Sequence, residues 1–206
     1  RAGGDGTLQW TQHYGTASEE MLRGVSFDAD GFTAVGRITN FGGDLDTYIL
    51  RTDNNGTEQW WQSWGGIKND EFFGITHSGS NFLMAGYTDS YGPIASGQPV
   101  RSVYLMAMNA AGDTLWTRTL GDAAAASSAE AITVATNGDL LMAGQSGNSH
   151  LTDAMVMRVS STGVVLWKHT YVLGNEDVLH ALDLLSDGGL IAAGRSFTLT
   201  GTQAIL

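Results

Sequence analysis

The chain has 206 residues, of which 42% are hydrophobic and 15% charged, so it carries too much apolar surface to be disordered. Its formal net charge is −11 with only 10 Lys and Arg residues, which argues against binding to nucleic acid or to an anionic membrane surface. The absence of cysteine excludes disulfides and zinc–thiolate sites. No apolar run approaches the roughly 20 residues needed to insert into a bilayer.

Two marks recur in step along the chain and predict a repeat of about 50 residues. The first mark is a tryptophan four residues after a glycine, at Gly6/Trp10, Gly56/Trp60, Gly112/Trp116 and Gly163/Trp167. The second mark is a small or apolar residue followed by glycine, at Gly36, Gly86, Gly144 and Gly194. Together they predict a single domain, 1–206, with repeats at 17–66, 67–121, 122–172 and 173–206 plus 1–16.

Within each repeat the pattern predicts four short strands. In the first repeat a strand around Val25 leads to the turn Asp30-Gly31, and a second strand ends at Gly36. A third strand follows at 48–51, then a turn, then the strand that holds Trp60. Glycine in such turns supplies positive φ. We expect the tryptophans to fill gaps between repeats and the recurring glycines to permit close backbone approach.

These units predict an all-β protein, and antiparallel four-stranded units of this length are typical of β-propeller blades. Apolar runs such as 140–143 fit strands covered on both faces. Residues 202–206 align with 46–50, and Arg1 aligns with Arg51. The sequence is therefore compatible with a closed four-bladed ring and with four repeats of a larger propeller, which further blades or chains would complete.

The sequence also resembles the repeats of bacterial secreted and surface β-propeller proteins, including SBBP-type repeats. The resemblance is clearest from Gly31 to Gly66, where Gly36, an apolar strand ending in Arg51, and Trp60 follow in the family's order. One copy departs from it, with Ser102 in place of the acidic residue and Ala107 in place of arginine. The resemblance implies a propeller and an extracellular, cell-surface or periplasmic location, and it usually implies no catalysis.

The first candidate ligand site is the loop from Asp89 to Arg101, about six residues longer than its equivalent in the first repeat. It offers Tyr91, Gln98 and Arg101 as binding residues. Long irregular loops often carry function, although a tolerated insertion explains the length equally.

The second candidate is a ring of residues on the first strand of each repeat: Arg23, Phe73, Glu130 and His180. In a closed ring of four, Arg23 would face Glu130 across the axis, and Phe73 would face His180. Such a polar ring could bind a small ligand, or its charges could simply pair.

Acidic residues form the third candidate. Asp44 and Asp46 share one loop and are weak candidates for calcium ligands, since calcium needs six to eight oxygens. Hydrogen bonding to turn amides explains them more simply. Glu20, Asp70 and Asp177 align with one another, which suggests a shared structural role.

No metal-binding histidine spacing, nucleophile elbow or phosphate-binding loop is present in the sequence. We therefore predict a non-catalytic binding or display scaffold without a cofactor, whose partner is a protein or a carbohydrate. Two alternatives stay open: a quinoprotein-like or glycosidase-type enzyme propeller, and a purely structural segment of a large adhesin or filament.

Overall fold

The computed structural model describes residues 1–148, 151–198 and 201–206, and these residues form strands and turns without a helix. The all-β prediction is confirmed. The strands are β1 (Glu20–Asp28), β2 (Gly31–Thr39), β3 (Leu45–Asp53), β4 (Glu58–Trp64), β5 (Asp70–Ser78), β6 (Asn81–Thr88), β7 (Ile94–Ala95), β8 (Gln98–Pro99), β9 (Ser102–Asn109), β10 (Thr114–Leu120), β11 (Ala126–Val134), β12 (Leu140–Asn148), β13 (Leu151–Val159), β14 (Val165–Tyr171), β15 (Glu176–Leu184), β16 (Leu190–Thr198) and β17 (Gly201–Ile205).

The strands pair in chain order into antiparallel sheets. Sheet 1 has the order β1-β2-β3-β4, and sheet 2 has β5-β6-β9-β10. Sheet 3 consists of β11 to β14, and sheet 4 of β15 to β17, with one parallel pairing between Thr152 and Glu176 joining the two. The small strands β7 and β8 pair with each other in a separate two-stranded sheet. The described strands form no closed sheet, so the propeller remains a prediction.

Consecutive sheets stack face to face. The first strands lie side by side, with β1 against β5, β5 against β11 and β11 against β15. In β6, Phe82 and Met84 pack toward sheet 1, while Leu83 and Ala85 pack toward sheet 3. Successive residues of a strand point to opposite faces, so a middle strand that is covered on both faces is apolar throughout.

Each first hairpin contains a β-bulge at the same place. The pairing of the first strand with the second skips one residue in every sheet, and the skipped residues are Arg23, Phe73, Glu130 and His180. A bulge bends its strand and redirects the extra side chain. These four side chains therefore leave the alternating pattern of their strands.

The recurring glycines lie where the second strand approaches the backbone of the first strand most closely. A Cβ added to Gly86 would overlap the carbonyl oxygen of Glu71, and one added to Gly36 would overlap that of Met21. The same overlap with a carbonyl of the first strand occurs at Gly144 and Gly194. Any side chain here would push the two strands apart beside the bulge.

Each of three tryptophans packs on a turn glycine of the following sheet. An added Cβ would lie 2.7 Å from Trp10 at Gly56, 3.4 Å from Trp60 at Gly112 and 3.3 Å from Trp116 at Gly163. Trp167 packs in the cluster between sheets 3 and 4. The tryptophans thus lie between sheets, on the side of the outer strands.

The first 14 residues pack on sheet 1. The ring of Trp10 lies 6.0 Å from that of Phe32, and the Tyr14 hydroxyl donates a hydrogen bond of 2.6 Å to the carbonyl oxygen of Gly56. Residues 1–16 were expected to complete the unit that starts at residue 173. No described pairing joins them to β17, so this part of the repeat division stays a prediction. Their tryptophan instead holds them on sheet 1.

We predict that Gly86→Ala lowers the free energy of unfolding by about 1–3 kcal/mol, because the new methyl group overlaps a backbone carbonyl that cannot move freely. Gly4→Ala is the control, since an added Cβ at Gly4 meets nothing within 4 Å. Its effect should stay within about 0.5 kcal/mol. Equal effects of the two substitutions in urea denaturation would contradict the close approach.

Candidate functional site

Three loops meet at one end of sheets 1 and 2. They join β2 to β3 (residues 40–44), β4 to β5 (residues 65–69) and β6 to β9 (residues 89–101). In an antiparallel sheet every second connection lies at the same end, so the strand order places all three loops there. We call these three loops the loop cluster.

Direct hydrogen bonds join the loops. The Asn69 side-chain oxygen accepts a bond of 3.0 Å from the Leu45 amide, which links the second loop to the start of β3. The Lys68 amide donates to the Ser90 hydroxyl at 3.2 Å, and the Tyr91 hydroxyl donates to the carbonyl oxygen of Gly65. The long loop is therefore anchored on sheet 1 as well as on its own sheet.

The long loop is internally ordered. Its strands β7 and β8 form a small hairpin whose turn holds Ser96 and Gly97 at φ values of 51° and 78°. At its base Arg101 donates two hydrogen bonds to the Asp89 carboxylate, at 2.8 and 2.7 Å. The guanidinium carbon also lies 3.8 Å from the centre of the Tyr87 ring. Arg101 therefore closes the loop, and its charge is already engaged.

The other two candidate residues of this loop are also placed. The side-chain oxygen of Gln98 accepts a bond of 2.7 Å from the Lys68 ammonium group. The Tyr91 ring lies 6.0 Å from the Tyr104 ring, and Tyr91 remains 48% exposed. Burial raises the pKa of the Tyr91 phenol, and the carboxylates of Asp70 and Asp46 raise it further. Tyr91 is thus neutral, its hydroxyl is bound to Gly65, and about half of its surface is exposed.

Two carboxylates lie beneath the cluster. Asp70 is fully buried, and one of its oxygens accepts bonds from the Gly66 amide at 2.9 Å and the Ser90 hydroxyl at 2.8 Å. Burial raises the pKa of Asp46, and nearby Asp44 and Asp70 add to this, against the hydrogen bond from Asn40. One oxygen of Asp46 and one of Asp70 have no hydrogen-bond partner among the described residues.

Asp70 shares its role with the residues that align with it. The Asp177 carboxylate accepts bonds from the Leu173 and Gly174 amides at 2.7 and 2.9 Å, and the Glu20 carboxylate accepts one from the Thr16 amide at 2.7 Å. Each acid therefore caps the loop that leads into the first strand of its own sheet.

The two candidate calcium ligands, Asp44 and Asp46, both accept hydrogen bonds from a neighbouring side chain. The Asn40 side-chain amide donates to Asp44 at 2.8 Å and to Asp46 at 3.3 Å. Within residues 1–148, 151–198 and 201–206, no group of three or more His, Asp or Glu side chains is arranged to hold a metal ion. Calcium binding by Asp44 and Asp46 stays a weak prediction.

The loop cluster also exposes large apolar side chains. Phe41 is fully exposed, and Ile67 is 89% exposed. Trp64, Tyr91 and Ile94 are exposed as well. Sequence reasoning missed Phe41, Trp64 and Ile67. The sequence could have revealed them, because each is an apolar residue in, or at the start of, a Gly- and Asp-rich loop, where no neighbouring strand covers it.

The residues of the predicted ring on the first strands contact side chains of adjacent sheets. Arg23 donates to Glu71 at 2.9 Å and lies 5.5 Å from the centre of the Phe73 ring. Glu130 and His180 lie 3.3 Å apart. Stacked sheets bring the bulges of neighbours together, and Arg23 is paired with Glu71 rather than with Glu130. That Arg23 faces Glu130, and Phe73 faces His180, across the axis of a closed ring stays a prediction.

No family model and no curated protein matches the sequence. None of the described residues belongs to a helix long and apolar enough to cross a membrane.

We predict that Arg101→Ala loosens the long loop without unfolding the protein. Hydrogen exchange at the Val100 amide, which bonds to the Pro93 carbonyl at 2.9 Å, should accelerate by about tenfold or more. The change in global stability should stay below about 1 kcal/mol, because the ion pair is partly exposed. Arg158→Ala, which breaks an ion pair with Asp139 on sheet 3, is the control and should leave Val100 unchanged. Unchanged exchange in Arg101→Ala would show that the ion pair does not order the loop.

We predict a pH-dependent effect of Asp46→Asn. A raised carboxyl pKa means that the folded protein favours the protonated form of Asp46 over the charged form. The protonated carboxyl therefore stabilises the fold at low pH, and this stabilisation is lost as pH rises through the folded pKa. The variant should gain stability over the wild type at about pH 7 and not at about pH 3, as measured by urea denaturation.

Asp53→Asn is the control of opposite sign. Hydrogen bonds led by the one from the Thr57 amide lower the pKa of Asp53, so its stabilisation is present at neutral pH and lost as pH falls through the folded pKa. This variant should therefore be less stable than the wild type at neutral pH. A pH-independent effect of Asp46→Asn would contradict the assignment.

Proposed function

We propose that the chain is a non-catalytic binding or display scaffold of β-propeller type, secreted or displayed on a bacterial surface. It engages a protein or a glycan through the loop cluster. The observation that carries this proposal is the exposed ring of Tyr91 on a long loop that is ordered by the Asp89–Arg101 ion pair.

Order in the loop matters because binding costs less when a contact surface is already rigid. The β7–β8 hairpin, the double hydrogen bond of Arg101 and the contact of Tyr91 with Gly65 restrain the loop before any ligand arrives. Aromatic rings held in this way are the typical anchors of protein interfaces, and they also stack on sugar rings.

The charges around the rings favour the same ligand classes. Asp44 and Asp46 place carboxylates at the cluster, while Lys68 and Arg101 are already bound to Gln98 and Asp89. Carboxylate acceptors suit the hydroxyls of a carbohydrate or the basic side chains of a protein. They repel phosphate, which agrees with the net charge of −11.

The stacked antiparallel sheets support the propeller part of the proposal. Sheets 1, 2 and 3 each have four strands, apart from the added β7–β8 pair, and their first strands follow one another along the stack. Radial repetition of such sheets is the propeller arrangement. The bacterial and extracellular parts rest on the resemblance of the repeats alone.

We predict that Tyr91→Ala and Phe41→Ala each weaken ligand binding by about tenfold or more. Ligands would be selected with the full chain on a printed glycan array and from a displayed peptide library, and affinities would then be measured by titration calorimetry. Tyr171→Ala is the matched control, since Tyr171 is also 48% exposed but lies on sheet 3.

Loss of binding in the two loop variants alone would support the proposal. Ligands that bind all three variants equally would place the site elsewhere. If neither collection yields a ligand, the binding function is wrong and the purely structural role becomes the better account.

A further inference from the structure

A buried arginine fills the joint between sheets 1 and 2. Arg51 lies across from Thr33 in the sheet and is 1% exposed. Its guanidinium group donates to the Asp28 carboxylate at 2.7 Å and to the Thr33 hydroxyl at 3.1 Å. The same group lies 5.4 Å from the centre of the Phe82 ring of sheet 2. The arginine therefore occupies the space where the two sheets meet and is fully paired there.

Sheet 3 keeps this arginine, whereas sheet 2 has lost it. Arg158 takes the position in sheet 3 and donates to Asp139 at 2.9 Å. In sheet 2 the position belongs to Ala107, which lies across from Leu83. The third strands are otherwise in the same register, so a long cationic side chain is replaced by one methyl group.

The side chains that surround the arginine in sheet 1 are also replaced. Ser78 is at the position of Asp28, because each pairs with the first residue of its second strand. Leu83 replaces the threonine, and Leu140 of sheet 3 replaces Phe82, since both lie four residues before the recurring glycine. The carboxylate that pairs with a guanidinium group and the ring that stacks on it are therefore both missing.

These changes leave a cavity of about 170 Å³ between sheets 2 and 3, in the middle of the stack. Its floor consists of Leu83, Ala107 and Leu140, which are exposed by 5% or less. Its mouth lies at the turns that join β5 to β6 and β11 to β12. These turns are at the end of the sheets opposite to the loop cluster, because consecutive connections of an antiparallel sheet alternate between its ends.

The mouth of the cavity is polar but uncharged. It is bordered by the indole of Trp116 and by the side chains of Ser78, Asn81 and Ser161. Within the described residues, these three polar side chains make no hydrogen bond and no charged side chain lines the cavity. Hydroxyl and amide groups both donate and accept hydrogen bonds, so they suit a neutral partner better than an ion.

We propose that this cavity binds a small uncharged ring that carries a hydroxyl group, of which phenol is the simplest example. The ring packs on the three apolar floor residues and beside Trp116, and its hydroxyl group bonds to Ser78 or Asn81 at the mouth. An apolar cavity of about 150 Å³ is large enough for benzene, so the size fits. A rigid ring also loses little conformational freedom on binding and packs well against an indole.

Titration of the isotope-labelled chain with phenol, followed by NMR, tests the proposal. The Trp116 indole signal, assigned with Trp116→Phe, should shift together with the amides of Gly138 and Ser161. The shifts should saturate with a dissociation constant of about 1 mM or below, as is typical of a ligand of this size. Guanidinium ions carry the group that sheet 2 has lost. They should cause no saturable shift, because the cavity offers no carboxylate.

Two variants locate the binding. Ala107→Leu fills the cavity with apolar atoms and should weaken phenol binding by about tenfold or more, because the floor then leaves no room for the ring. Ala123→Leu makes the same change at an exposed position in the loop before β11 and should leave the dissociation constant unchanged. Shifts that do not saturate, equal binding by both variants, or guanidinium binding as tight as that of phenol would each overturn the proposal.

A further measurement tests the origin of the cavity. Ala107→Arg should lower the urea midpoint, because it buries an unpaired guanidinium group, and addition of Ser78→Asp should raise the midpoint again. The double variant restores the pair that Arg51 and Asp28 form in sheet 1, and it should no longer bind phenol. Ser80→Asp, at an exposed position of the same turn, is the control and should give no recovery. Equal recovery by the two aspartates, or phenol binding by the double variant, would contradict the assignment.

Discussion

The packing of each sheet against the next is the interaction on which the rest of this structure depends. The middle strands are apolar on both faces, so sheet 2 is covered by sheet 1 through Phe82 and Met84 and by sheet 3 through Leu83 and Ala85. Close stacking is possible because Gly86 lets the second strand approach the first within its own sheet, and Gly74 lets sheet 3 approach sheet 2. A sheet built in this way needs two neighbours, which explains the exposed apolar faces at both ends of the stack.

The same packing builds the loop cluster. Because sheets 1 and 2 stack closely, Asp70 becomes fully buried at the joint and organises the loop before β5 through the Gly66 amide. The long loop of sheet 2 can then bond to the β4–β5 loop. The Tyr91 hydroxyl donates to the Gly65 carbonyl oxygen, and the Ser90 hydroxyl accepts from the Lys68 amide. The site is thus composed of loops that single sheets could not hold in place. Its aromatic rings and carboxylates are exposed because no strand of the stack covers them.

Much of this was predictable from the period of the sequence. The spacing of the tryptophans and glycines predicts strand order and turns, because each mark serves one backbone contact. The bulges at Arg23, Phe73, Glu130 and His180 were not predictable, since an extra residue in one strand leaves no mark in the hydrophobic alternation. The contacts that these residues make with adjacent sheets were therefore not predicted. Tyr91, Gln98 and Arg101 were correctly singled out as one loop, but the sequence does not show that Arg101 is bound to Asp89, because that pairing depends on how the loop folds back.

Native-state hydrogen exchange at residue resolution tests this account most directly, at a dilution where light scattering gives the mass of a single chain. If mutual packing of the sheets stabilises the fold, the amides of β6, β9 and β12 exchange slowest, and those of β16 and β17 exchange much faster, since sheet 4 is covered on one face only. Equal protection of all four sheets, or slowest exchange in sheet 4, would show that each sheet is stable by itself and would contradict the account.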